Sequence, residues 1–249
     1  MGSSMAAGPG IKPRAAGSPL RAGRSARNYP HLVAERLGYD LVDVTYSGAT
    51  TASVLRDRRH SALPQIEALD GTEDLVTVTV GGNDVGYVPL LFAATVPAVL
   101  RVLPTIGTSL RDLLDPAARD RALAAVGASL REVGRTLRSR APQARIMFVD
   151  YLTLLPPTGT PAPPLPDDIV DLGRHVADRL AEITAEAARD TGCDVVRAAQ
   201  ASREHHAWSE DPWTVGAGSL LPWRPKPFHP NAEGMRAVAD LIVAAVQEP

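Results

Sequence analysis

Leu75-Val-Thr-Val-Thr-Val-Gly-Gly-Asn-Asp-Val-Gly-Tyr87 is the stretch from which the fold can be read. Its first half is a short β-branched run with no charge, the composition of a strand covered on both faces. Gly81 and Gly82 then allow a sharp turn and a close approach by another group. Asn83 and Asp84 follow at the edge such a strand would reach. Read alone, Asn-Asp after a strand is turn chemistry. In a parallel α/β sheet, however, that edge is also where sites are built.

The rest of the chain supplies the surroundings this strand needs. Asn28 as N-cap, Pro30 in the first turn and Gly38 at the end predict a helix over residues 29–37. Residues 41–46 read as a strand, and Ser47-Gly-Ala-Thr-Thr51 as the loop into another helix. Residues 85–115 are apolar and broken by prolines, which suggests short helices over the sheet edge or the wall of a lipophilic pocket. Leu123, Val126, Leu130, Val133 and Leu137 recur at three- and four-residue steps and predict a long amphipathic helix over 116–140. Residues 145–150 form the next strand. Ile169, Leu172, Val176, Leu180 and Ile183 mark a second long helix, and 194–197 a short strand. An irregular segment, 202–228, holds Trp208, Trp213 and Trp223. A last helix, bearing Met235, Val238, Leu241, Ile242 and Ala245, begins just after His229-Pro-Asn231. Strands alternating with helices give the fold class α/β, a parallel sheet with helices on both faces, in a single domain over 1–249.

Composition narrows the function. A net charge of −2 gives no reason to expect a nucleic acid partner, and no apolar run reaches the roughly 20 residues of a membrane span. Cys193 is the sole cysteine, so no internal disulfide can form and a reducing compartment is favoured. The nucleophile elbow G-x-S-x-G, the phosphate loop G-x-x-x-x-G-K and H-E-x-x-H do not occur. His205 and His206 are adjacent and Cys193 is isolated, so no metal ligand set emerges and a structural or surface role is expected for all three.

Four short polar motifs remain: Gly2-Ser-Ser-Met5, Ser47-Gly-Ala-Thr-Thr51, Gly81-Gly-Asn-Asp84 and Phe228-His-Pro-Asn-Ala-Glu-Gly234. Each has a plain reading as tail, turn or helix entry. Together, and in this order, they resemble the SGNH (GDSL-type) hydrolase family, in its bacterial esterase and lipase branch. Gly8-Pro-Gly-Ile11, Gly23-Arg-Ser-Ala-Arg-Asn-Tyr-Pro30 and Val149-Asp-Tyr-Leu152 extend the likeness over nearly the whole chain.

The resemblance implies a three-layer α/β/α sandwich with a flavodoxin-like parallel sheet. It implies hydrolysis of a carboxylic ester through an acyl-serine, with no cofactor and no metal. Ser4 matches the nucleophile and His229 the general base. The N–H groups of Ser4 and Gly48 and the side-chain amide of Asn83 match the oxyanion donors, while Asp84 supports its loop. The expected partner is a small-molecule ester or lipid, without nucleic acid or stable membrane insertion, and the expected state is a monomer. An O-deacetylase of glycans or small molecules, or a truncated relative that only binds ligand, are the other readings.

Two departures from the family pattern matter. The Asp expected three residues before the His is Lys226, whose ammonium has only donors and cannot accept the imidazole Nδ1–H. The main-chain carbonyl of Lys226 is the expected substitute, with Asp211 as a distant rival. Only Met1 precedes Gly2, where the family has an apolar first strand. The first strand is therefore expected to be missing, and the natural polypeptide to begin further upstream. Tyr46 and Trp208 stand where secreted relatives have cysteines, which favours a cytoplasmic protein, although an upstream export signal would reverse that.

Overall fold

The computed structural model describes residues 1–96, 104–218 and 226–248. Three parallel strands are found among them, β1 (Leu75–Val78), β2 (Arg145–Val149) and β3 (Asp194–Val196), in the order β1-β2-β3. Leu75 faces Arg145 and Val78 faces Phe148 across the first pair, and Met147 faces Asp194 across the second.

Side chains alternate across a pleated strand, and β2 uses both faces. Ile146 and Phe148 enter one apolar cluster, with Val76, Val78 and the helices α3 (Thr51–Leu55), α4 (Tyr87–Thr95), α6 (Pro116–Arg140) and α7 (Asp167–Asp190). Met147 and Val149 enter the other, with α2 (Tyr29–Leu37) and α9 (Ala232–Gln247). The result is three layers, helices over both faces of a parallel sheet. Two further helices, α1 (Ser4–Ala7) and α8 (Ala198–Ala201), are single turns at the strand ends, and α5 (Pro104–Leu114) precedes α6.

The helices follow the sequence closely. The Asn28 side chain accepts from the N–H of His31, and Gly38 closes α2 in the left-handed region. All five periodic residues of α6 are buried, as are the five of α7. In α4 the side chains of Leu90 and Leu91 are fully enclosed, so this stretch packs the core. The part of the 85–115 expectation that falls on 97–103 lies outside the described residues, as does Trp223.

Residues 41–46 depart from expectation and form no strand. Their route to the sheet is filled only by Met1 and Gly2: Gly2 makes a single parallel bridge to Thr79, and the Met1 ammonium donates to the carbonyl of Thr77 at 2.8 Å. At its end Tyr46 donates its N–H to the carbonyl of Gly2, and the residues before it use side chains. The Asp43 carboxylate accepts from the N–H of Thr45, and Arg24 donates to the carbonyl of Thr45. Val42 is left 70% exposed.

Candidate active site

Gly2 hands the chain to the site. At φ 131° and against the backbone of Thr79, the position has no room for a Cβ. The side-chain amide of Gln65 donates to its carbonyl and accepts from its N–H, much as a neighbouring peptide would. Ser3 then caps α1, its Oγ accepting from the N–H of Met5, so Ser4 opens the helix at the C-terminal side of the sheet.

Ser4 and His229 lie 225 residues apart, yet Ser4 Oγ is 2.8 Å from His229 Nε2. Both are buried. His229 Nδ1 lies 2.7 Å from a main-chain carbonyl, which can only accept, so Nδ1 carries the proton and Nε2 accepts from the seryl hydroxyl. Burial pushes the imidazole pKa down to about 4, the nearby Lys226 charge adds to that, and the carbonyl opposes it.

That carbonyl belongs to Pro227, which corrects the expectation of Lys226. The cause is Phe228, held at φ 56°, which folds the ring of His229 back over the residue two before it. Phe228 is fully buried, edge-on to Phe92 at 5.3 Å, and its N–H donates to the carbonyl of Val215. Asp211 is not near the imidazole of His229 in this role. It pairs with His205, whose Nδ1 lies 2.8 Å from the Asp211 carbonyl and whose ring stacks on Trp213.

The other two loops are tied to this pair. Tyr46, before Gly48, donates its N–H to the carbonyl of Gly2. Asn83 Nδ2 donates to the carbonyl of Ala49 at 2.8 Å, which places the amide beside Gly48 and leaves its second hydrogen free. Among the described residues the N–H groups of Ser4 and Gly48 donate to no protein group. Asp84 accepts from both the N–H and the hydroxyl of Thr51, pinning the start of α3 to the end of β1, and burial raises its pKa. No grouping that could hold a metal ion occurs among the described residues.

Sequence reasoning missed three contributors. The Tyr151 hydroxyl accepts from the N–H of Gly82 at 2.9 Å and lies 3.4 Å from Ser3 Oγ, joining the Asn83 loop to the Ser4 turn. A Cβ at residue 82 would lie 2.6 Å from the Tyr151 ring, so the phenol fits only against glycine. Gln65 clamps Gly2, and Arg59 donates to the carbonyl of Ser47 with its guanidinium against Gly48. Of the three, Tyr151 alone lay within a motif that carried the resemblance.

A neutral imidazole accepting from a seryl hydroxyl, with unpaired donors nearby at the C-terminal edge of a parallel sheet, is the arrangement of α/β serine hydrolases. The sequence matches the GDSL-like Lipase/Acylhydrolase family over residues 1–237. It is 33% identical to Lipase 2 of Streptomyces coelicolor, over 96% of this chain and 82% of that protein. The crystal structure of an extracellular lipase from Streptomyces rimosus superposes with a TM-score of 0.78 at 25% identity, covering 98% of this chain and 96% of that one. A phospholipase A1 from Streptomyces albidoflavus shares the fold, with a TM-score of 0.77 at 23% identity over 99% and 96% of the two chains. The chain belongs to the GDSL-like lipase/acylhydrolase family and is an ester-hydrolysing enzyme.

Proposed function

We propose that the chain hydrolyses lipophilic carboxylic esters through an acyl-Ser4 intermediate, using a Ser4–His229 dyad supported by the Pro227 carbonyl. The observation that carries this is the 2.8 Å contact between Ser4 Oγ and a buried, neutral His229. As Ser4 Oγ bonds to the substrate carbonyl carbon, its proton passes to His229 Nε2. The negative charge that develops on the carbonyl oxygen is met by the N–H groups of Ser4 and Gly48 and the free hydrogen of Asn83. Each such donor contributes on the order of 3 kcal/mol. The carbon–oxygen bond to the alcohol then breaks, and Nε2 returns the proton to the departing oxygen. Water repeats the sequence on the acyl-enzyme and releases the acid.

Without a carboxylate, the imidazolium formed in each step is met by one carbonyl dipole. That suffices to fix the ring and tautomer. The test is turnover of p-nitrophenyl esters of graded acyl length by the chain and by Ser4→Ala. Loss of turnover in the variant is expected, and unchanged turnover would remove Ser4 from the mechanism.

A further inference from the structure

Tyr46 to Ala49 form a β-turn, closed by the N–H of Ala49 donating to the carbonyl of Tyr46 at 2.9 Å. Gly48 takes φ 76° and Ser47 has no positive φ, which makes it a type II turn with glycine in third place. Type I and type II turns share the closing hydrogen bond and differ in the middle peptide, which is turned over by roughly 180°. Glycine in third place leaves both forms open. Here the middle peptide joins Ser47 to Gly48. It is trans, so the Ser47 carbonyl and the Gly48 N–H point in opposite directions. A flip would therefore exchange the proposed oxyanion donor for a carbonyl oxygen.

The bonds around the turn fix its ends and not its middle. Tyr46 donates its N–H to Gly2, Ser47 donates its N–H and hydroxyl to the carbonyl of Ala22, and the Ala49 carbonyl accepts from Asn83. Among the described residues only Arg59 bonds the middle peptide, its Nε donating to the Ser47 carbonyl at 2.9 Å. Arg59 is itself held. Its N–H and carbonyl pair with those of Ala62, and its guanidinium lies over the Tyr46 ring, 5.8 Å from the centroid. The guanidinium also fills the space that a Cβ at Gly48 would take. Resting on the ester-hydrolase reading above, we propose that Arg59 is a positioning residue of the reaction, holding the Ser47–Gly48 peptide in the form that presents the Gly48 N–H to the substrate carbonyl oxygen. The same charge-assisted bond polarises that peptide and makes the N–H at its other end a stronger donor.

The experiment measures kcat and KM for p-nitrophenyl butyrate in the parent chain, Arg59→Met, Arg59→Ala and Arg59→Gln, with thermal midpoints to confirm folding. Methionine keeps an apolar stem over Tyr46 and donates nothing. Glutamine places an amide nitrogen as many bonds from the backbone as Nε. Affinity for 1-propylboronic acid is read beside the rates, because boron takes the Ser4 oxygen to form a tetrahedral anion while the hydroxyl proton passes to His229. In Arg59→Met and Arg59→Ala kcat is expected to fall about ten- to a hundredfold with KM within about twofold, and boronate affinity to fall by a similar factor. Arg59→Gln is expected to recover most of both losses. Either folded donorless variant decides the matter. Unchanged kcat overturns the proposal, as does a fallen kcat with boronate affinity intact. A raised KM with kcat held also overturns it, and makes Arg59 a substrate contact. Failure of the parent chain to turn over the ester would instead overturn the ester-hydrolase reading.

Discussion

Mild acid should leave the chemistry of this chain intact while two buried groups pull its stability in opposite directions. Burial holds the His229 pKa near 4, against an ordinary 6.5. At pH 5.5 an imidazole of pKa about 4 is roughly 97% neutral, whereas an ordinary one would be only about 9% neutral, a tenfold difference in competent enzyme. Stability runs the other way. A depressed folded-state pKa contributes stability that is complete above 6.5 and is lost as pH falls towards 4, a span worth about 3 kcal/mol. Asp150 opposes this loss. Burial raises its pKa from 3.8 to about 6, so its contribution is complete below 3.8 and is lost as pH rises through 6. The two groups therefore partly cancel between pH 4 and 6.

The assay is kcat/KM for p-nitrophenyl butyrate from pH 4 to 8, read at the isosbestic wavelength of p-nitrophenol, beside thermal midpoints at each pH. The acid limb of the rate is expected near 4. A limb at 6.5 would show that the burial of His229 is not felt in solution, and the reasoning would fail. Lys226→Asp sharpens the test. It exchanges a cation that lowers the imidazole pKa for an anion that raises it, so the limb should move up by about a unit or more.

Tyr151→Phe strands the buried N–H of Gly82, at a cost of about 1–3 kcal/mol. Because that N–H sits next to Asn83, kcat should fall more than KM rises, and a lowered thermal midpoint with kcat unchanged would show a merely structural role. Asn83→Ala should lower kcat about 100- to 1,000-fold, as loss of an oxyanion donor does, and also lower the thermal midpoint because the Ala49 carbonyl loses its donor. Gln65→Glu turns a donor to the Gly2 carbonyl into a repelling acceptor and should lower both stability and kcat. Unfolding curves with steady-state rates would separate those two effects, and a wild-type rate would show that Gly2 needs no clamp.

Elements whose signal is local could be read from the sequence. The helix α2 carries its own start and stop in Asn28, Pro30 and Gly38, and α6 and α7 declare their buried faces by spacing. Residues 41–46 have strand composition, but a strand is completed by its neighbour, and composition carries no account of whether one is present. The pairing of Ser4 with His229 was legible because each lies in a short motif. The identity of the carbonyl behind His229 was not. It depends on a positive φ at Phe228, a bulky residue with no local preference for that region, and on the packing of Phe92 and Val215 that holds it there. Arg59 reaches the site from a loop and Gln65 from the start of a 3-10 turn, neither with motif character.

The clamp of Gln65 on Gly2 has a consequence for how the enzyme tolerates mutation. A backbone position held by sheet pairing is indifferent to most substitutions in its neighbours, because every residue but proline offers the same two groups. The Gly2 carbonyl accepts from the N–H of Tyr46 as well as from Gln65, but the Gly2 N–H donates to the Gln65 side chain, whose amide offers both a donor and an acceptor. The placement of Ser4, two residues on, is thereby coupled to the identity of one residue that lies 63 positions from Gly2 in the chain, at the start of a 3-10 turn. Substitution at position 65 is thus expected to be felt at Ser4 although Gln65 does not take part in the chemistry.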